Sequence, residues 1–376
     1  MNNSLALRQS ILLLGMVFSG SLLAQTFIYV SAAEDGTITR YALNEQTGAL
    51  QRLGDTPTGG KVMPMAISPD KKTLYAAVRS QPMRLVSWSI NGKSGALTLA
   101  SESAAAASYP YISLDRQGRF LLAASYDSGV VHVYRLGAHG KVTTPFVEEI
   151  QAGHAAHSVI VDATNRSAYV GVLGTDRVLQ LALHQDGQLT PVGDGFVATA
   201  AKNGPRHSVL SPDNRFLYNV GEMSGAIVQF ARQSDGSLMK VADYPNAIAQ
   251  KYHLQHGEER TASYSDTTPR LWAADINMTP DGRFLYVTER TSSTITGYRV
   301  NQQDGKLQLI NSWPVEKQPR GIGITPDGRW LIASGEKSGV IGSYAIEQES
   351  GALRRVAEAP VGRDANWVSI VSVNQP

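Results

Sequence analysis

Short apolar runs broken by tight polar turns recur along this chain. Six segments share one pattern: Ile67–Val78, Leu114–Ser125, Val161–Val170, Leu210–Val220, Met278–Val287 and Ile324–Ala333. In each, an apolar run ends at Ser/Thr-Pro-Asp-Gly or a close variant, and a run of β-branched and aromatic residues follows. Proline presets φ and Asp and Gly close the turn, so each segment predicts a β-hairpin. A third alternating strand comes next, as in Ala226–Ala231 or Thr294–Arg299. It is followed by a glycine turn, as in Ser234–Ser237 or Gln303–Lys306, and by a fourth strand beginning at Leu238 or Leu307.

Four strands per unit make a propeller blade. Asp70 and Gln117 are 47 residues apart and Asp281 and Asp327 are 46 apart, within the ~40–50 residues of propeller repeats. Asp213 and Asp281 are 68 apart. The excess falls in Pro245–Leu271, a polar stretch read as a loop excursion from one blade. Phe27–Ser31 has the second-strand pattern, and Trp367–Val373 supplies the missing inner strand. Joining the chain ends thus makes a seventh blade and closes the ring, leaving no long sheet edge. The expected fold is an all-β, seven-bladed β-propeller with four antiparallel strands per blade, one domain over residues 26–376. No long amphipathic helix appears, and the regular period argues against an open sandwich.

Met1–Gln25 reads as a cleavable secretory signal: Arg8, an apolar core over Ile11–Leu23, and Ala24 ending a cleavage site with Leu22 at the minus-three position. Its apolar stretch is shorter than the ~20 residues a membrane span needs, and the mature chain offers no other. The expected location is the periplasm or beyond. The 376 residues carry a formal net charge of +2 with no long basic run, which excludes a nucleic-acid surface or membrane patch. There is no cysteine, hence no disulfide, thiol nucleophile or thiolate metal site.

Because the unit repeats, equivalent positions point the same way in every blade. The starts of the inner strands offer Met63/Pro64, Pro110/Tyr111, Ala156/His157, Arg206/His207, Ala274/Asp275 and Arg320/Gly321. The ends of the second strands offer Arg79, Tyr126, Val172, Glu222, Arg290 and Glu336. Both sets are expected to ring one mouth of the central channel. Such charges either pair as salt bridges between blades or form a site, and convergent polar groups in a concavity favour a site. The excess of arginine points to an anionic small molecule, since the guanidinium fork suits carboxylate or phosphate. His157 and Glu222 are the acid–base candidates. There is no Gly-x-Ser-x-Gly elbow, so no serine nucleophile is expected. The five tryptophans, Trp272 and Trp367 among them, are expected to pack between blades. His154, His253 and His256 lie in loops without ligand spacing and receive no role.

Several phrases are more distinctive than the repeat: Ala156-His-Ser158, Gly204-Pro-Arg-His207, Asn219-Val-Gly-Glu-Met-Ser224, Arg270-Leu-Trp-Ala-Ala-Asp-Ile276, Glu289-Arg-Thr-Ser-Ser293 and Gln318-Pro-Arg-Gly321. With these the chain resembles the bacterial propeller-type 6-phosphogluconolactonases over roughly its whole mature length. It resembles more distantly the fungal carboxymuconate cyclases of the same superfamily. The resemblance implies opening of a sugar δ-lactone, with site residues falling by motif on His157, Arg206, Glu222 and Arg290. Arg79, Tyr126, His207, Asp275, Arg320 and Glu336 are expected to bind the substrate. No cofactor is implied, and no metal is expected. Propeller lactonases of another sort hold calcium with Asp, Asn and Glu, and a ring rich in arginine repels one. The leader departs from the family, whose typical bacterial members lack one and act on a phosphorylated lactone in the cytoplasm. Two other functions use the same face: a non-catalytic propeller that binds a partner, and a cyclase that closes a muconate to its lactone with an arginine clamp and an acid.

Overall fold

The computed structural model describes residues 24–259 and 267–374. The leader read over Met1–Gln25 lies outside them except for Ala24 and Gln25, which begin the strand Ala24–Ala32. The described residues form seven four-stranded sheets in which neighbouring strands pair antiparallel, as in blade 4. The helices among them are two three-residue 3₁₀ turns, Ala138–Gly140 and Leu173–Thr175.

We number the blades around the ring by their inner strands: Ala365–Asn374 (blade 1), Val62–Ile67 (2), Tyr111–Leu114 (3), Ala156–Val161 (4), Pro205–Leu210 (5), Ala273–Met278 (6) and Pro319–Ile324 (7). Each inner strand lies beside those of its two neighbours, and blade 7 meets blade 1. Blade 1 is composite, as expected. Its inner strand comes from the C-terminus and pairs antiparallel with Ala24–Ala32 through nine residue pairs.

The second strands are apolar because both their faces are covered. Phe120–Ser125 and Trp330–Gly335 are buried along their whole length. The outer strands alternate with solvent, as in Leu97–Ala104. Between blades 1 and 2, Phe27, Tyr29, Ile38, Leu74 and Trp88 form one apolar cluster. Second-strand tyrosines then tie blades 1, 4, 5 and 6 to the next blade. Tyr29, Tyr169, Tyr218 and Tyr286 donate to the carbonyls of Gly95, Gly236, Gly305 and Gly351, each in the following blade.

The repeated turn explains itself in blade 6. Thr279 Oγ1 donates to Asp281 Oδ1 at 2.6 Å and accepts the Phe284 amide at 3.0 Å, while Gly282 takes φ 73°. In blades 3 and 4 the hydroxyl is replaced by Asp115 and Asp162, fully buried carboxylates that accept two and three turn amides respectively.

Candidate active site at the channel mouth

Inner strands begin, and second strands end, at one mouth of the ring. Here six of the seven inner strands carry the same irregularity. The ladder with the second strand skips Asn366 in blade 1, Met63 and Pro64 in blade 2, His157 in blade 4, Arg206 in blade 5, Ala274 and Asp275 in blade 6, and Arg320 in blade 7. These are β-bulges, which leave a residue unpaired and re-aim its side chain. In blade 3 Tyr111 stays in register with Ala124. The bulges therefore coincide with the residues the repeat placed at the mouth.

The centre of the site is an ion network across blades 5 and 6. Glu222 follows the second strand of blade 5 (Phe216–Gly221). Its Oε2 accepts from Arg206 Nε at 2.6 Å and Arg290 Nη2 at 2.8 Å, and its Oε1 accepts from Trp272 Nε1 at 3.1 Å. Arg206 is 1 % exposed, Arg290 4 % and Glu222 5 %. Burial pushes the Glu222 carboxyl upward, but Arg290 and Arg206 outweigh it and hold the group below its usual range. Burial lowers Arg290 to about 9, against the pull of Glu222; it remains charged at neutral pH. Arg290 also donates to the carbonyls of Trp272 and Ala273 at 3.0 Å each, and its guanidinium lies 3.7 Å from the Trp272 ring centroid, a cation–π distance.

Histidines lie beside this network. His207 Nδ1 faces Asp275 Oδ1 at 2.9 Å and its Nε2 meets Arg206 Nη1 at 3.1 Å. The partners fix the tautomer: Nδ1–H donates to the carboxylate and Nε2 accepts from the guanidinium. Burial, then Arg206, lowers its pKa to about 4. Asp275 also accepts the Ile276 and Ile322 amides, bracing blade 6 against blade 7. His157 meets the His207 ring at 5.2 Å and the Tyr126 ring at 5.9 Å between centroids. It is 5 % exposed, and its Nδ1 is buried with no hydrogen-bond partner. Burial, then Arg206 and His207, holds its pKa well below 6.5. His157 is thus a neutral imidazole whose Nδ1 has no partner.

In blade 7, Arg320 Nη1 donates to Glu336 Oε1 at 2.7 Å, and Gln318 donates to the other carboxylate oxygen at 2.6 Å. Burial opposes the Glu336 charge, but Arg320 and Arg290 bring its pKa down to about 2. The charge of Arg320 disfavours protonation of Arg79, His157, Arg206, His207 and Arg290 alike. Arg79 stands apart in blade 2, donating to Ser108 Oγ at 2.8 Å, with Asp127 at 3.8 Å. Tyr111 and Trp367 meet at 5.3 Å, and each lies against His207, at 4.9 and 5.9 Å.

All ten residues named from the sequence therefore lie at this mouth. The cation excess is smaller than their types suggested, because Glu222 is shared by two arginines and Glu336 holds a third. Among the described residues, no three of His, Asp and Glu are grouped to hold a metal ion. Trp272, read as interblade packing, touches both Glu222 and Arg290. His154, given no role, meets Glu259 of the excursion at 2.8 Å.

Residues 27–370 match the sequence profile of the family described as "Lactonase, 7-bladed beta-propeller". The chain belongs to this lactonase family. It is 37% identical over 296 residues to a 6-phosphogluconolactonase of Serratia proteamaculans (strain 568), covering 78% of this chain and 83% of that one. It is 34% identical over 295 residues, with the same coverage, to a 6-phosphogluconolactonase of Enterobacter sp. (strain 638). Among solved structures it superposes on a periplasmic gluconolactonase of Pseudomonas aeruginosa with a TM-score of 0.79 and 23% identity, covering 93% of this chain and 99% of that one. Among the described residues of this lactonase-family chain, no helix is long and apolar enough to cross a membrane.

Proposed function

We propose that this protein hydrolyses a sugar δ-lactone at the bulged mouth of its channel, in the periplasm or outside the cell. The observation that carries this reading is the neutral, hydrogen-bond-free imidazole of His157 beside the buried Arg206–Glu222–Arg290 network. The guanidinium groups nearest His157 keep donor capacity here. Arg320 Nε and Nη2, Arg290 Nη1 and Arg206 Nη2 make no hydrogen bond among the described residues.

In this mechanism water attacks the lactone carbonyl carbon while His157 takes its proton. The carbonyl oxygen becomes negative and is stabilised by Arg320 and Arg290. Collapse breaks the bond between the carbonyl carbon and the ring oxygen, and the leaving oxygen takes the proton back from His157. The product is a hydroxy acid that ionises to an aldonate. Glu222, spent on two arginines and Trp272, acts as the positioning residue that aims them rather than as the base. A positioned base contributes about 10²–10⁴ in rate and one oxyanion donor about 10²–10³.

The leader read from the sequence and the periplasmic location named for the Pseudomonas protein support export. An exported enzyme meets unphosphorylated lactones, so δ-gluconolactone is the expected substrate in preference to its 6-phosphate. The test is proton release on adding each lactone to the purified protein and to Glu222→Gln and Arg290→Ala. Faster opening of δ-gluconolactone by the wild type alone supports the reading. Equal rates in all three proteins remove these residues from the mechanism, and a wild type no faster than buffer removes the activity.

A further inference from the structure

The connection from an outer strand to the next inner strand is short in most blades, as from Pro57 to Val62 or Pro314 to Pro319. Between blades 5 and 6 it runs from Tyr244 to Ala273, and it leaves and returns at the mouth. The excursion is pinned there. Gly257 N donates to Met223 O at 2.7 Å, and Leu271 N to Gln255 O at 2.8 Å. A Cβ on Gly257 would lie 2.8 Å from Met223 Cα, so only glycine passes this flush against blade 5. Met223 in turn packs with Ala155, Leu173 and Tyr126, and the chain is led across blade 5 toward blades 4 and 3.

There it delivers a carboxylate. Glu259 Oε1 accepts from the Tyr126 hydroxyl at 3.1 Å and meets His154 Nε2 at 2.8 Å. Oε2 makes no hydrogen bond among the described residues, and the side chain is 28% exposed. The Tyr126 ring stands edge-on to His157. Burial, then Glu259 and Glu222, pushes the Tyr126 hydroxyl upward, so it stays protonated. Of the carboxylates near Tyr126, Glu222 is held by Arg206 and Arg290 and Asp127 lies 3.8 Å from Arg79, whereas Glu259 has no arginine partner among the described residues.

We propose that Glu259, set by Tyr126, is a specificity-determining residue that reads the hydroxyl groups of the lactone ring. The proposal rests on the lactone reading and names the substrate class: a neutral polyhydroxylated lactone, with its hydroxyls toward Glu259 and its carbonyl toward Arg320 and His157. A free carboxylate oxygen accepts hydrogen bonds from sugar hydroxyls, and a plain alkyl lactone has none to give.

The test compares δ-gluconolactone with δ-valerolactone in the wild type, Glu259→Ala, Glu259→Gln and Tyr126→Phe, with calorimetric binding of the unhydrolysable δ-gluconolactam alongside. A hydrogen bond to a charged group is worth enough to change affinity about tenfold or more. Glu259→Ala is expected to lower the ratio of kcat/KM between the two lactones about tenfold, through KM, and to weaken lactam binding by a like factor. Glu259→Gln, which keeps an acceptor oxygen, recovers part of the loss. An anchor for the excursion alone would shift both lactones equally, and that result, or no shift, overturns the proposal. If the wild type opens neither lactone, the hydrolytic reading falls, and lactam binding decides the recognition role: sensitivity to Glu259→Ala keeps it, insensitivity ends it.

Discussion

At the turn end of the inner strands, blade 6 uses Thr279, Asp281 and Gly282, and blades 2, 5 and 7 use Ser68 with Asp70, Ser211 with Asp213 and Thr325 with Asp327 for the same hydrogen bond. At the mouth end of the same strands, blade 4 presents His157, blade 5 Arg206, blade 6 Asp275 and blade 7 Arg320. The backbone device is repeated at both ends, a capped turn at one and a bulge at the other. At the turn end the side chain serves the device in each of these blades, whereas of the four mouth residues Asp275 alone accepts backbone amides. A bulged residue is outside the ladder, so its side chain is free to differ from blade to blade, and chemistry collects there.

This contrast can be broken most severely at His157. His157→Asn is expected to lower kcat by about 10²–10⁴ and to leave the blades intact by circular dichroism. The sign of the pH dependence follows from burial and Arg206, which keep the imidazole unprotonated well below its usual 6.5. A base stays active while unprotonated, so wild-type kcat/KM is expected to run flat as pH falls through 6.5 and to drop only in more acidic buffer. A drop centred at 6.5 contradicts the environment assigned to His157.

The next effect is at the shared ion network. Arg290→Ala is expected to lower kcat about 10²–10³. It also leaves Glu222 short of one buried partner, a loss on the order of 3–5 kcal/mol, visible as a lower denaturation midpoint. Full activity in a folded Arg290→Ala protein would place the chemistry elsewhere. The smallest effect sharpens the comparison from the other side. Thr279→Ala removes two turn hydrogen bonds, to Asp281 and from the Phe284 amide, about 1–3 kcal/mol of stability, and is expected to leave kcat/KM unchanged in urea-free buffer. A Thr279→Ala protein with impaired catalysis would mean that the two ends are not separable.

The architecture was legible in the sequence because hairpin turns are local. Pro, Asp and Gly at fixed offsets dictate them, and the 46- and 47-residue spacings followed. The identity of the mouth residues was legible through the same register. Their pairing was not, because a bulge and a buried ion pair are facts about two strands. Glu222 reads from the sequence as a base, yet two guanidinium groups and an indole occupy it. His207 and Asp275 read as substrate contacts, yet they bond each other and brace blades 5, 6 and 7. Trp272 reads as packing because nothing local announces that its ring lies under Arg290. Pro245–Leu271 reads as a plain loop because its polar composition gives no sign that Glu259 reaches Tyr126 of blade 3.

A crystal structure with δ-gluconolactam bound locates the lactone. The ligand is expected at the mouth, its carbonyl oxygen within hydrogen-bond distance of Arg320 or Arg290 and His157 facing its carbonyl carbon. A lactam seated at the turn end of the channel, or between outer strands, with the mouth empty, would contradict this placement.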